Sequence, residues 1–195
     1  INRTGYFSEQ NNDRSRADNL GLVCKPWRSD GDFILVCGQH DKSLQWESMP
    51  SMSNWFMQTY KEIRKHSQRP ILLRPHPRCR LPNIELGLEK VYRQEPRKLT
   101  GTYDDFDMKF DNIWATISWS SNPGIHSIIN GVPAFVSNSS LAYPVANDID
   151  FLHDIEDPHM GGRQAWLNDY AHTEYTVDEI AKGIPLTNLL DQITS

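Results

Sequence analysis

The chain contains no run of about eighteen apolar residues and no basic start leading into an apolar segment, so neither a membrane span nor a signal peptide is expected. Its three cysteines, Cys24, Cys37 and Cys79, are odd in number, widely spaced and without a Cys-x-x-Cys pattern. This argues against a disulfide scaffold or a zinc knuckle and reads as reduced thiols in a cytoplasmic protein. P-loop, Gly-x-Ser-x-Gly, His-Glu-x-x-His and Gly-x-Gly-x-x-Gly motifs are all missing, which counts against the enzyme classes built on them. Internal repeats and low-complexity tracts are missing too. Basic residues run short late in the chain: Gly101 to Ser195 holds three Lys or Arg against fourteen Asp or Glu, whereas Lys61 to Lys98 holds eleven against four. Phosphate is therefore expected to meet the earlier segment.

What is present suits one ordinary globular core, since 38% of the 195 residues are hydrophobic and 23% charged. A first residue that is Ile1 rather than Met leaves room for a targeting segment or an N-terminal domain ahead of it. Residues 1–31 are mostly polar and weakly periodic, and read as an irregular N-terminal arm or inter-domain segment. Asp32 to Gly38 is a short continuous apolar run, the pattern of a strand buried on both faces. Ser53 can cap a helix carrying Trp55, Phe56, Met57, Tyr60 and Ile63 at helical spacing through His66. Arg69-Pro70 breaks it, and Ile71 to Arg74 is a second strand. A third strand around Asn112 to Ser118, a helix after Asn122 closed by Gly131, and a fourth strand from Ala134 to Ser137 continue the alternation. The expected architecture is α/β: a Rossmann-like parallel sheet with flanking helices over 32–157, with C-terminal helices in 158–195 packing on the same domain.

In such sheets ligands bind beyond the strand C-termini. Ser120, Ser121 and Asn122 stand there at a helix start, where unpaired backbone N–H groups and the positive dipole end receive phosphate. Arg74-Pro75-His76-Pro77-Arg78 ends another strand, and its two prolines hold Arg74, His76 and Arg78 with little entropy left to lose. Arginine can grip phosphate with a planar fork, and His76 can donate to phosphate or to a leaving oxygen. A solvated surface turn explains the same residues without function. Gln39 and His40 share this edge. His126 lies one helical turn after Asn122, facing the loop or packing inward. Tyr103 to Asp107 reads as a solvated acidic loop, lacking the ligand spacing of a metal site. Arg163 reads as an ion-pair partner of Glu156 or Asp157. Trp166, Tyr170 and Tyr175 read as helix-packing aromatics or a stacking face.

The pairing of Leu73-Arg74-Pro75-His76-Pro77 with Ser120-Ser121-Asn122-Pro123-Gly124-Ile125-His126-Ser127-Ile128-Ile129-Asn130-Gly131-Val132-Pro133 resembles the C-terminal, nucleotide-sugar-binding half of GT-B-type capsular polysaccharide glycosyltransferases. With Pro26 to Gly31, Trp55 and Arg69-Pro70-Ile71, the pattern is similar to small glycosyltransferase-like proteins of tailed phages, over roughly residues 25–185. The resemblance implies that Arg74 and His76 contact donor phosphates, His76 being the catalytic candidate. It further implies that Ser120, Ser121 and Asn122 bind diphosphate or ribose, and that the base lies near Gln39. No metal and no cofactor are implied: helix dipole, arginine and histidine neutralise the leaving nucleotide. Relatives carry an acidic residue on the serine-turn helix where His126 stands here. A GT-B enzyme also uses two Rossmann-like domains, so the resemblance implies an N-terminal domain or partner chain beside this one.

The expected function is sugar transfer from a nucleotide-sugar to an acceptor hydroxyl on a polysaccharide or a modified DNA base. The basic stretch from Lys61 to Arg80 would suit DNA phosphates. Two alternatives stand beside it. A nucleotide-sugar epimerase or hydrolase would need carboxylates in the cleft. A noncatalytic or virion-associated module would keep the fold without turnover.

Overall fold

The computed structural model describes residues 11–100 and 106–194. Six segments form strands: β1 (Phe33–Cys37), β2 (Ile71–Arg74), β3 (Val91–Arg93), β4 (Ile113–Ser118), β5 (Ala134–Val136) and β6 (Asn147–Asp148). They make one sheet in the order β3-β2-β1-β4-β5-β6, with every neighbouring pair parallel. The architecture is α/β and Rossmann-like, and the direction of winding reverses between β1 and β4, which opens a crevice at their C-terminal ends. The four strands expected from apolar runs are there. β3 and β6 add the two edges, and their three and two residues are too short and too polar to announce themselves.

Strand alternation divides the core. On β1, Ile34 and Val36 face one layer while Leu35 and Cys37 face the other. The first layer is closed by helix α2 (Met52–His66), whose Trp55, Phe56 and Ile63 recur at helical spacing and are buried. Ser51, two residues before the expected cap, accepts from the Asn54 N–H and starts this helix. The second layer is closed by helix α3 (Asn122–Ile129), with Ile125 and Ile128 buried. A register shift where β1 meets β4 turns both Trp114 and Ala115 toward the α2 layer.

The segment from β3 back to β4 contains no helix among its described residues, although a doubly wound sheet usually places one there. Phe110 and Met108 pack instead on Leu35 and Cys37, so coil covers this part of the sheet.

The N-terminal arm is less irregular than its sequence suggests. Residues Ser15–Asn19 form a one-turn helix, α1, whose Ala17 is wholly buried against α4 (Gln164–Ala171). Farther along, Lys25 and Arg28 donate their backbone N–H groups to Ile129 and Gly131. Gly131 adopts φ +77° and a Cβ there would lie 2.0 Å from the Pro26 carbonyl oxygen, so glycine both ends α3 and admits the arm. Among the described residues, the C-terminal part carries α4, α5 (Val177–Ala181) and α6 (Ile184–Thr194). A capping box between Thr176 and Glu179 opens α5. Among the described residues, no helix is long and apolar enough to cross a membrane.

Candidate functional site

Because every strand points the same way, the loops after β1, β2 and β4 all emerge at one sheet edge. A cavity of about 340 Å³ opens there, lined by Arg74, His76 and Arg78 from the β2 turn and by Ser121, Asn122 and His126 from α3. Two turns more than forty residues apart in sequence thus face one space. Six of the nine residues singled out from the sequence line it.

The β2 turn is held close to β1. Gly38 donates its N–H to the Arg74 carbonyl at 2.8 Å, and a Cβ on Gly38 would stand 3.3 Å from the His76 nitrogen. Within the turn, the Arg78 backbone N–H donates to His76 Nδ1 at 3.2 Å. An Nδ1 that accepts leaves the ring proton on Nε2, so this bond fixes His76 as an Nε2–H donor when neutral. His40 packs edge-on against the same ring, with centroids 5.0 Å apart, and its own Nδ1 accepts from the Lys42 N–H. His40 therefore orients His76 and does not line the cavity.

Gln39 and Ser120 also lie outside the cavity wall, bound to each other. The buried Gln39 amide donates to Ser120 Oγ at 3.0 Å and to Ser43 Oγ at 3.1 Å. It joins the loops after β1 and β4 across the crevice.

Arg74 is buried and already engaged: its guanidinium donates to the Asp107 carbonyl, to Asp107 Oδ1 at 3.2 Å and to Gln94 Oε1 at 3.2 Å. A carbonyl and a carboxylate compensate much of its charge. Asp107 is a correction to the solvated-loop reading, for it is only 8% exposed. The Arg97 backbone N–H, followed by the Arg74 guanidinium, holds its carboxyl below the usual range. Tyr103, Asp104 and Asp105 lie outside the described residues.

At α3 the N-terminal cap residue is Ser121, whose hydroxyl caps nothing. Ser121 Oγ is buried without a hydrogen-bond partner, as is Ser118 Oγ at the end of β4. Gly124 brings the helix tight against that strand, since a Cβ would lie 2.8 Å from Ser118 Oγ. His126 is exposed as a residue at the rim, yet the atoms packed around its ring lower its pKa by desolvation, with Glu174 opposing.

The remaining wall was not legible in the sequence. Phe106 and Met108 reach the cavity from the coil before β4, where no periodicity marks them. Cys37 lines it as the last residue of β1, and burial pushes its thiol up to about 12, which keeps it neutral and a poor nucleophile. Among the described residues, no carboxylate lines this cavity and no three His, Cys, Asp or Glu side chains cluster as metal ligands would.

Several late residues serve the fold. Arg163 pairs with neither Glu156 nor Asp157: it donates to the carbonyls of Ile128 and Lys25 and lies 3.6 Å over the Trp27 ring. Trp166 and Tyr170 stack on each other at 5.4 Å, and Tyr175 carries Arg16. The basic segment is likewise divided, because Arg64 donates to carbonyls at the opposite sheet edge and Arg69 to Glu156 and the Gly31 carbonyl. Compared with protein-family models and with curated proteins, the chain has no match.

Proposed function

We propose that the crevice between β1 and β4 receives the diphosphate of a nucleotide-sugar, and that the chain is a glycosyltransferase, or the donor-binding domain of one. One observation carries this reading: Ser121 Oγ, on the residue that begins α3, is buried without a partner in the wall of the cavity that also holds His76. A diphosphate there would accept from the first N–H groups of α3, from Ser121 and from His76 Nε2–H. These donors match what a departing nucleotide needs, because negative charge grows on its bridging oxygen as the sugar leaves. Arg74 adds a compensated charge from behind, and its first duty is to hold Asp107.

Transfer is favoured over epimerisation or hydrolysis by the hydrogen-bond donors of the wall, which suit a departing diphosphate. His76, fixed as a donor through Nε2, suits leaving-group stabilisation better than proton abstraction. The acceptor hydroxyl belongs to a polysaccharide or a modified DNA base, and the base that activates it comes from an N-terminal domain or partner chain in this reading.

The test is a thermal-shift screen against UDP, CDP, GDP, CMP and their sugar conjugates, since a ligand of the native state raises the melting temperature by mass action. A selective rise that falls away in His76→Ala and Ser121→Ala is the expected result. No rise with any of these ligands would overturn the donor-site reading.

A further inference from the structure

Phe106 is half-buried in the cavity wall and belongs to none of the apolar clusters of the core among the described residues. Its neighbours on the same coil behave differently, since Met108 and Phe110 pack on Leu35 and Cys37. The backbone that presents Phe106 is nonetheless fixed. Phe106 pairs with Lys98 in an antiparallel bridge, and the next residue, Asp107, donates its N–H to the Arg97 carbonyl at 2.9 Å. The Asp107 carboxylate accepts in turn from the Arg97 N–H at 2.9 Å and from the Arg74 guanidinium at 3.2 Å. An aromatic side chain is thus held toward the cavity without being spent on the core.

The cavity wall has two chemistries. Ser121, Asn122 and His76 bring hydrogen-bond donors, whereas Phe106, Met108 and Pro75 bring apolar surface. A ligand that answers both carries an anion joined to a flat ring.

We propose that Phe106 is the platform on which the nucleobase of the donor stacks, while the diphosphate lies at the start of α3. The proposal rests on the donor-cleft reading and adds where the base goes. Gln39, toward which the family resemblance directs the base, lies outside the wall and is engaged by Ser120 and Ser43. A phenyl face held in place before binding gives up little freedom when a base covers it.

The experiment is isothermal titration of the full chain with UDP, CDP, ADP and GDP, and with inorganic pyrophosphate, which has the anion and lacks the ring. Phe106→Ala, Phe106→Leu and Phe106→Tyr are titrated alongside. The best nucleotide is expected to bind the parent about ten-fold or more tighter than pyrophosphate, from base stacking on an aromatic ring. Alanine and leucine variants should both lose that advantage with pyrophosphate affinity unchanged, and the tyrosine variant should keep it. Leucine preserves apolar bulk, so a coil that needs only filling would tolerate it and a stacking platform would not. A nucleotide advantage that survives in Phe106→Ala and Phe106→Leu would overturn the platform and leave the donor cleft standing. Equal loss of nucleotide and pyrophosphate in both variants would also overturn it, by showing that Phe106 shapes the coil. If no nucleotide binds the parent, the donor reading and the platform fall together.

Discussion

Arg74 and Asp107 bind each other behind the cavity. The guanidinium at the end of β2 donates to both the carbonyl and the carboxylate of a residue 33 positions later, and both side chains are nearly inaccessible. This pair ties the coil around Asp107 to the end of β2, and with it the placement of Phe106 and Met108 in the cavity wall. Arg74→Ala leaves Asp107 held by Arg97 alone and is expected to cost about 1–3 kcal/mol in urea unfolding. Asp107 has its pKa lowered in the folded state, so its contribution is present above the usual carboxylate value of about 3.9 and is lost as pH falls through the lowered one. Asp107→Asn should flatten that acid limb of the stability curve.

The hydroxyl of Ser118 is buried and unpartnered beneath Gly124. Gly124→Ala would place a Cβ 2.8 Å from that oxygen and 2.9 Å from Val136 Cγ1, and is expected to cost about 1–3 kcal/mol by overpacking. Ser118→Ala alone should be neutral or slightly stabilising, because it removes a polar atom that nothing answers. The double variant should recover part of the loss. A Gly124→Ala protein as stable as the parent would show that α3 does not need this close approach.

Depression of the His126 pKa gives a pH dependence with a definite sign. The folded protein resists protonating His126, so this group removes stability as pH falls below the unfolded value of about 6.5 toward the lower folded one. A bound anion favours the protonated ring and reverses the preference. Affinity for UDP-glucose, whose diphosphate does not titrate in this range, should rise as pH is lowered from neutrality to about 5.5. His126→Gln should remove the rise, which isothermal titration at two pH values would detect.

Gln39 bridges the crevice through Ser120 and Ser43. Gln39→Leu deprives both hydroxyls of a donor and should destabilise the fold by about 1–2 kcal/mol. Hydrogen exchange should quicken in the loops after β1 and β4. If Gln39 instead contacts a nucleotide base, the variant will lose affinity well beyond its loss of stability.

Sequence by itself determined the central sheet and its helices. Short continuous apolar runs bounded by glycine and proline have the pattern of strands buried on both faces, and the spacing of Trp55, Phe56 and Ile63 has the pattern of a helix. It also placed Arg74-Pro75-His76-Pro77-Arg78 and Ser120-Ser121-Asn122 at strand ends, because in a parallel sheet every such turn falls on one edge. Tertiary structure alone decided what each polar side chain does there. Whether an arginine faces ligand or protein depends on which carbonyls and carboxylates the fold brings to it, so Arg74 is claimed by Asp107 and Arg163 by Ile128 and Lys25. The same holds for Gln39 and Ser120, which answer each other, and for Ser121, which is left unanswered. β3, β6 and the coil carrying Phe106 and Met108 were equally silent in sequence: short edge strands and irregular crossovers have no periodicity, and only the sheet they join gives them a place.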